Sequence, residues 1–267
     1  MKPRLPIILC LCVLLLSCES RIDKDLQFGE SKVAIDALLT VDAETQLVRV
    51  SRSSTLNAGI EAVNNAAVTL FDESGISYTF TEDEAKPGDY IYEMDIDIDM
   101  NSTYKLHVQV DGVLHTAESG VAEVVKTIPE AQYQVIDSVT RALTEFIPYF
   151  TEEEQAMYRI DLDWSHLQPD TTNKARVYYY SFNDIDVGSL LPGETERVLF
   201  PVGTIITISK YGLTDDFAEF LRAAIIESRW TGGIYFNASS SLPTNFSQEA
   251  LGYFSISETF SQTFTVQ

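Results

Sequence analysis

The sequence predicts a mainly β protein: an antiparallel β-sandwich followed by a β-rich α+β domain with one amphipathic helix. Three observations predict it. From Val33 to Ala117, about seven short apolar runs are separated by turn residues, with no helical period. Only Asp215 to Arg229 repeats its apolar residues at spacings of three and four. The 267-residue chain is also 45% hydrophobic with 13 Tyr and 14 Phe, too many for a disordered acidic chain despite its net charge of −22.

The chain starts with a targeting segment rather than a fold element. Met1-Lys2-Pro3-Arg4 precedes an apolar block from Leu5 to Leu16, and Leu15-Leu16-Ser17-Cys18 closes it. Basic start, short apolar core and small residue make residues 1–17 a signal peptide. The block falls short of the ~20 residues that a membrane-spanning helix needs. The Leu-Leu-Ser-Cys ending resembles a lipobox, which implies that Cys18 becomes the lipid-bearing first residue of the mature protein. Several acyl chains on one residue anchor a protein durably, where a single chain holds it marginally. Cys10 and Cys12 leave with the leader, so the mature chain is expected to carry no disulfide, no Cys-based metal site and no cysteine nucleophile.

Loss of Lys2 and Arg4 lowers the basic residues from 18 to 16 against 40 acidic ones, a mature charge of about −24. Nucleic acid and anionic surfaces need clustered Lys and Arg, so this charge argues against both. Residues 18–30 read as a lipidated polar tether.

The β-sandwich is expected over 31–127. Val33, Ile35, Ala37 and Leu39 alternate with other residues, and strands follow at 47–50, 66–71, 76–80 and 90–98. Tyr104, Leu106, Val108 and Val110 alternate next, and Asp111-Gly112 supplies a two-residue hairpin turn into 113–117. Ile128-Pro129 marks the boundary, because proline interrupts pairing. The second domain, 128–267, is expected to hold strands at 132–139, 158–164, 175–182, 198–209, 252–256 and 260–266. Its helix turns Phe217, Phe220, Leu221, Ala224 and Ile225 to one face, with Asp216 and Glu219 as a capping box. A further helical turn is expected from Thr151 with Glu154.

Catalytic motifs are scarce. No G-x-S-x-G, H-E-x-x-H, Walker or G-x-G-x-x-G pattern occurs. Of three histidines, His107 and His115 flank the hairpin turn. Its register puts them on opposite faces, where they cannot share a metal, and all three histidines are expected to be exposed and structural. Glu93, Asp95, Asp97 and Asp99 alternate with Met94, Ile96, Ile98 and Met100. As a strand this makes a solvated acidic face, or a loose cation site; the calcium-loop pattern fails at Met100 and Leu106. Tyr178, Tyr180 and Phe182 share a strand face, as sheet packing or as a platform on which a sugar or peptide stacks. Asn101, Asn237 and Asn245 open N-glycosylation patterns, which a bacterial leader voids.

Three stretches together resemble the Bacteroidetes outer-membrane lipoproteins grouped as domain of unknown function 4249. One runs from Asn65-Ala66-Ala67-Val68-Thr69-Leu70-Phe71-Asp72 and Gly75 through Gly88-Asp89-Tyr90 and Thr103-Tyr104-Lys105-Leu106 to Asp111-Gly112. The second is Met157-Tyr158-Arg159-Ile160, where the family tends to place an aromatic at the position of Met157. The third is Pro243-Thr244-Asn245-Phe246 leading to Ala250-Leu251-Gly252-Tyr253-Phe254. The resemblance implies an Ig-like or transthyretin-like first domain, no established reaction, and genes placed beside TonB-dependent receptors. It thus implies a non-catalytic accessory or partner of such a receptor in uptake or envelope assembly, lipid-anchored at the outer membrane. A surface glycan- or peptide-binding lipoprotein is the alternative, and a hydrolase with an acidic pair the weakest reading. Glu19, Asp23 and Asp25 beside the anchor suit export to the cell surface, while Arg21 and Lys24 dilute that signal.

Overall fold

Alternating apolar residues fold into strands buried on one face. The structure, a computed structural model, describes residues 31–41, 43–53, 61–94, 96–128, 133–143, 154–167, 173–182, 198–228, 242–248 and 250–267. Cys18 and the tether lie outside the described residues. The first strands are β1 (Val33–Thr40), β2 (Gln46–Arg52), β3 (Glu61–Ala62), β4 (Ala67–Phe71), β5 (Ser77–Glu82), β6 (Asp89–Tyr92), β7 (Tyr104–Val110), β8 (Val113–Ser119) and β9 (Val121–Ala122). After them come β10 (Tyr133–Val135), β11 (Thr140–Leu143), β12 (Ala156–Asp163), β13 (Lys174–Ser181), β14 (Leu199–Pro201) and β15 (Ile205–Gly212). The chain ends with helix α1 (Asp215–Ser228), β16 (Leu251–Ser257) and β17 (Thr259–Thr265). The protein is therefore mainly β, and its strands stack as sandwich-like sheets.

The largest sheet runs β8-β7-β4-β5-β6-β2-β1-β16-β9, with β3 beside β2. It folds back on itself at β5. Val68 to Phe71 pair with Ser77 to Phe80, whereas Thr81 and Glu82 pair with Ile91 and Tyr90 of the other layer. Ile35, Leu39, Val50, Leu70, Leu106, Val108, Phe254 and Ile256 fill the space between the layers. Burial on this scale is the main driving force for the fold, at roughly 25 cal/mol per Å² of apolar surface. The hairpin register is as expected: Val110 faces Val113 and Val108 faces His115, with Asp111 and Gly112 at φ 49° and 83°.

Three expected strands differ from the structure. The 90–98 run ends as a strand at Tyr92; beyond it Ile96 and Ile98 stay buried without ladder pairing. The 132–139 run is instead the first arm and tip of a hairpin. Asp137 Oδ1 accepts from the Val139 and Thr140 amides, both at 2.8 Å, and turns the chain back into β11. The 198–209 run divides at Val202–Thr204, where Thr204 Oγ1 donates to the Pro201 carbonyl at 2.7 Å. Its halves, β14 and β15, enter different sheets: β10-β11-β14 and β13-β12-β15-β17.

The largest departure concerns residue 128 as a boundary and the wholly antiparallel sandwich. Residues 31–267 form one compact unit. β16, from the C-terminal part, lies between β1 and β9 in the first sheet and pairs with both in parallel. Parallel partners need a long crossover, and here most of the chain supplies it. Gly252 makes the entry possible. It sits at φ +94°, and a Cβ there would overlap the Ile35 carbonyl. Asn245 then acts as a substitute strand: Nδ2 donates to the Phe254 carbonyl at 2.7 Å and to the Glu118 carbonyl at 3.1 Å, and Oδ1 accepts from the Phe254 amide at 3.0 Å. The Pro243-to-Phe254 motif is thus a device for seating β16.

Helix α1 is capped two positions earlier than the expected capping box. The N-cap is Thr214, whose Oγ1 accepts from the Phe217 amide at 3.3 Å and whose carbonyl accepts from the Ala218 amide at 2.9 Å. Asp215 and Asp216 lie in the first turn, where carboxylates complement the helix dipole. Phe217, Phe220, Leu221 and Ile225 form the packed face as expected, with Ala218 in the cluster in place of the expected Ala224.

Gly252→Ala is expected to destabilise the protein by roughly 2 kcal/mol or more, since it combines a disfavoured φ with an overlap against backbone. Asn245→Ala is expected to cost about 2 kcal/mol by leaving strand groups unpaired. Urea unfolding followed by circular dichroism measures both.

Candidate functional site

The sheet β13-β12-β15-β17 has two different faces. Tyr158, Ile160 and Leu162 of β12 turn inward with Ile206 and Ile208 of β15. The intervening residues turn outward, and the register arranges them in rows. Met157 lies between Tyr180 and Tyr211; Arg159 lies between Tyr178 and Ser209; Asp161 lies between Arg176 and Thr207. Ser261 and Thr263 of β17 continue the second and third rows. One end of this face is covered, because Met157, Phe182 and Tyr211 pack with Phe217 and Tyr253. The rest is open.

The three aromatics expected to share a face do so. Their rings stand stacked along β13: Tyr178 to Tyr180 at 6.2 Å and 19°, Tyr180 to Phe182 at 5.8 Å and 16°. The ladder climbs out of the core. Phe182 is buried, Tyr180 half-buried, and Tyr178 is 42% exposed. Burial, with a smaller effect of Tyr178, pushes the Tyr180 hydroxyl up to about 12. The ladder thus runs from Phe182, packed in the core, to Tyr178, whose ring is exposed.

Beside Tyr178 stands an ion cluster. Arg159 Nε donates to Asp161 Oδ2 at 2.8 Å, and Arg176 Nε donates to Asp161 Oδ1 at 2.5 Å. Arg159 also lies 5.3 Å from the centre of the Tyr211 ring. One row further out, Lys174 pairs with Asp163 at 3.0 Å. The Ser165 hydroxyl, the Ser165 amide and Lys174 hold the Asp163 carboxyl down at about 2. Ser209 and Ser261 hydroxyls meet at 2.9 Å, and those of Thr207 and Thr263 at 3.0 Å. Sequence reading missed Arg159 and Arg176; their charge alternation with Asp161 and Asp163 on neighbouring strands was the available signal.

Of the acidic run, Asp95 lies outside the described residues, Glu93 and Met94 are both exposed, Asp97 and Asp99 are exposed while Ile96 and Ile98 are buried, and Asp99 is engaged in a turn with Asn101 and Ser102. The Asn101 amide holds the Asp99 carboxyl below its usual range. Among the described residues no three His, Cys, Asp or Glu gather as metal ligands. An open cleft of about 350 Å³ near Asn64, Asn65 and Pro87 is lined by Glu82, Asp83 and Glu84. Glu82 there is already accepting from the Asn65 and Gly88 amides, at 2.8 and 3.3 Å.

The expectation of exposed histidines holds for His166 alone. His115 is buried, with Nδ1 3.4 Å from the Ser247 carbonyl. His107 is half-buried against the Phe71 ring at 4.8 Å, and burial lowers its pKa. The helical turn expected at Thr151 lies outside the described residues. Its Glu154 has another role: the carboxylate is buried and accepts from the fully buried Lys210 ammonium at 2.7 Å. Lys210 also donates to the Val125 carbonyl at 3.1 Å and lies 5.6 Å from the Tyr158 ring centre. No helix of the described residues is long and apolar enough to cross a membrane.

Residues 19–263 match the family described as "Domain of unknown function (DUF4249)". No curated protein matches the chain. Among solved structures, the chicken CNTN1 FN1-FN3 domains are similar at 13% identity and a TM-score of 0.25, with 69% of this chain and 62% of that one covered. The chain thus spans less than two thirds of that structure's length.

Removing one partner of a buried ion pair strands the other charge. Lys210→Met is expected to cost about 3–5 kcal/mol, and a paired Lys210→Met, Glu154→Leu variant to recover most of it. Equilibrium unfolding of the single and double variants measures the difference.

Proposed function

This chain belongs to the DUF4249 family, and on that footing we propose that it is a non-catalytic outer-membrane lipoprotein, anchored through Cys18, that acts as an accessory or partner of a TonB-dependent receptor. The observation that carries this reading is an exposed apolar hairpin tip. Val135 and Val139 are each 63% exposed and Ile136 is 41% exposed, at the turn between β10 and β11, and Leu199 of the same small sheet is 52% exposed. Contiguous exposed apolar residues on an otherwise highly charged protein favour a protein contact. The turn is held rigid by Asp137, so the tip is presented with little entropy left to lose on docking. Cys18 and the 18–30 tether, in this reading, keep the body at the membrane where such a receptor lies.

A second reading, a surface glycan- or peptide-binding lipoprotein, is favoured by the solvent-facing part of this sheet, with Tyr178 exposed on its edge strand. The two readings use different surfaces and are separable by mutation.

Tagged lipoprotein purified from mild detergent is expected to bring down a TonB-dependent receptor identified by mass spectrometry. Val135→Asp with Val139→Asp is expected to abolish that recovery while leaving the thermal midpoint within a few degrees. Recovery unchanged by the double variant counts against the tip. Cys18→Ser is expected to move the protein from the membrane fraction to the soluble one; retention at the membrane counts against the anchor.

A further inference from the structure

We infer that the open face of the β13-β12-β15-β17 sheet binds an acidic polysaccharide of the uronic-acid class, with Tyr178 stacking on a sugar ring and Arg159 and Arg176 receiving its carboxylate. The inference rests on the second functional reading and adds the ligand's chemical class.

Charge argues for the anion. The whole chain carries a net charge of −22, yet among the described residues this face sets Arg159, Lys174 and Arg176 against only Asp161 and Asp163. β15 and β17 add hydroxyls and Ile205 but no charge there. In a chain so acidic, a locally cationic spot is where a carboxylate ligand is drawn.

Geometry argues for a carboxylate. Both arginines meet Asp161 through Nε, which turns their Nη groups to other acceptors, the Tyr178 hydroxyl among them at Arg176. Asp161 also sets their orientation, so little side-chain freedom is lost on binding. Arg176 is raised in pKa chiefly by Asp161, with the Tyr178 hydroxyl beside it, and so stays charged. Planar guanidinium groups suit bidentate capture of carboxylates.

The aromatic ladder argues for a ring. Tyr180 covers one face of Tyr178; with the rings stacked along the strand, the other face turns toward the row of Arg176, Asp161, Thr207 and Thr263. A pyranose ring there would lay its C–H face on Tyr178, its carboxylate on the arginines and its hydroxyls over the Thr207–Thr263 pair. A peptide would favour a strand edge, where backbone groups are open. The free edge here is that of β13 and lies in the plane of the sheet, whereas the face that carries Tyr178 and the arginines offers side chains alone.

The test is calorimetric titration of the mature lipidated chain in detergent with oligogalacturonate, a neutral cello-oligosaccharide and poly-glutamate. The expected result is binding of oligogalacturonate that weakens with added salt, and weaker or no binding of the other two. Arg176→Ala and Tyr178→Ala are each expected to weaken it roughly tenfold or more, and Arg176→Lys to restore part of the loss. Unchanged thermal midpoints establish that the variants are folded. Equal binding of the neutral sugar would overturn the acidic class while leaving glycan binding in place. Preference for poly-glutamate would overturn the sugar while leaving peptide binding in place. No binding of any of the three, or binding indifferent to both substitutions, would overturn the site itself.

Discussion

The insertion of β16 between β1 and β9 is the constraint on which the rest of the fold depends. It completes the first sheet with a strand from the far end of the chain, in parallel pairing along seven register pairs from Ala34–Leu251 to Thr40–Ser257. Phe254 and Ile256 enter the first core while Tyr253, on the opposite face, packs against Phe217 and Phe220 of the helix. A single strand thus serves two cores. One residue later β17 opens the other sheet, so the strand also fixes where that sheet begins. Gly252 and Asn245 are the local conditions for this insertion. One lets the backbone pass close to Ile35, and the other satisfies the Phe254 backbone groups.

Around that seam the connecting segment after β9 is clamped by charge. Glu258 accepts from the Val124 amide at 3.0 Å and pairs with Lys126 at 2.7 Å. Glu154 accepts from the Val125 amide at 3.3 Å while Lys210 donates to the Val125 carbonyl. The Ser257 hydroxyl donates to the Gly212 carbonyl at 2.8 Å. A buried Lys–Glu pair is costly to desolvate and contributes less to stability than apolar packing of the same volume. What it does contribute is specificity of arrangement, since only one placement of the segment satisfies both charges. The open sheet face follows from the same arrangement, because α1 covers the Met157–Tyr211 end and leaves the arginine rows uncovered.

Much of the fold was legible because period-two alternation reports burial directly. β1, β7, β8 and the Asp111-Gly112 turn stand where the apolar residues and the turn pair put them, and α1 buries the face that its spacing predicts. The failures share a cause. In 90–98 the alternation persists, with Ile96 and Ile98 buried, but pairing partners do not. The 132–139 and 198–209 runs look continuous by composition, while one turns at Asp137 and the other changes sheet at Thr204. Alternation measures which side chains are buried; it does not measure which backbone is paired. Of the candidate site, the shared face of Tyr178, Tyr180 and Phe182 was legible from spacing. Their partners Arg159 and Arg176 were not, because cross-strand register joins Arg159 to Tyr178, 19 residues on, and Arg176 to Asp161, 15 residues back.

Local sequence alone determined the β-rich class, most strand positions, the single described helix and the seven-residue arms of the hairpin, since each depends on neighbours within a few residues. The tertiary structure alone decided that residues 31–267 form one unit and that β16 pairs in parallel with β1. It also decided that Lys210 is buried and which face of the second sheet stays open. Those outcomes turn on contacts between residues distant in the chain, where the gain from shared burial must exceed the loop-closure entropy of bringing them together.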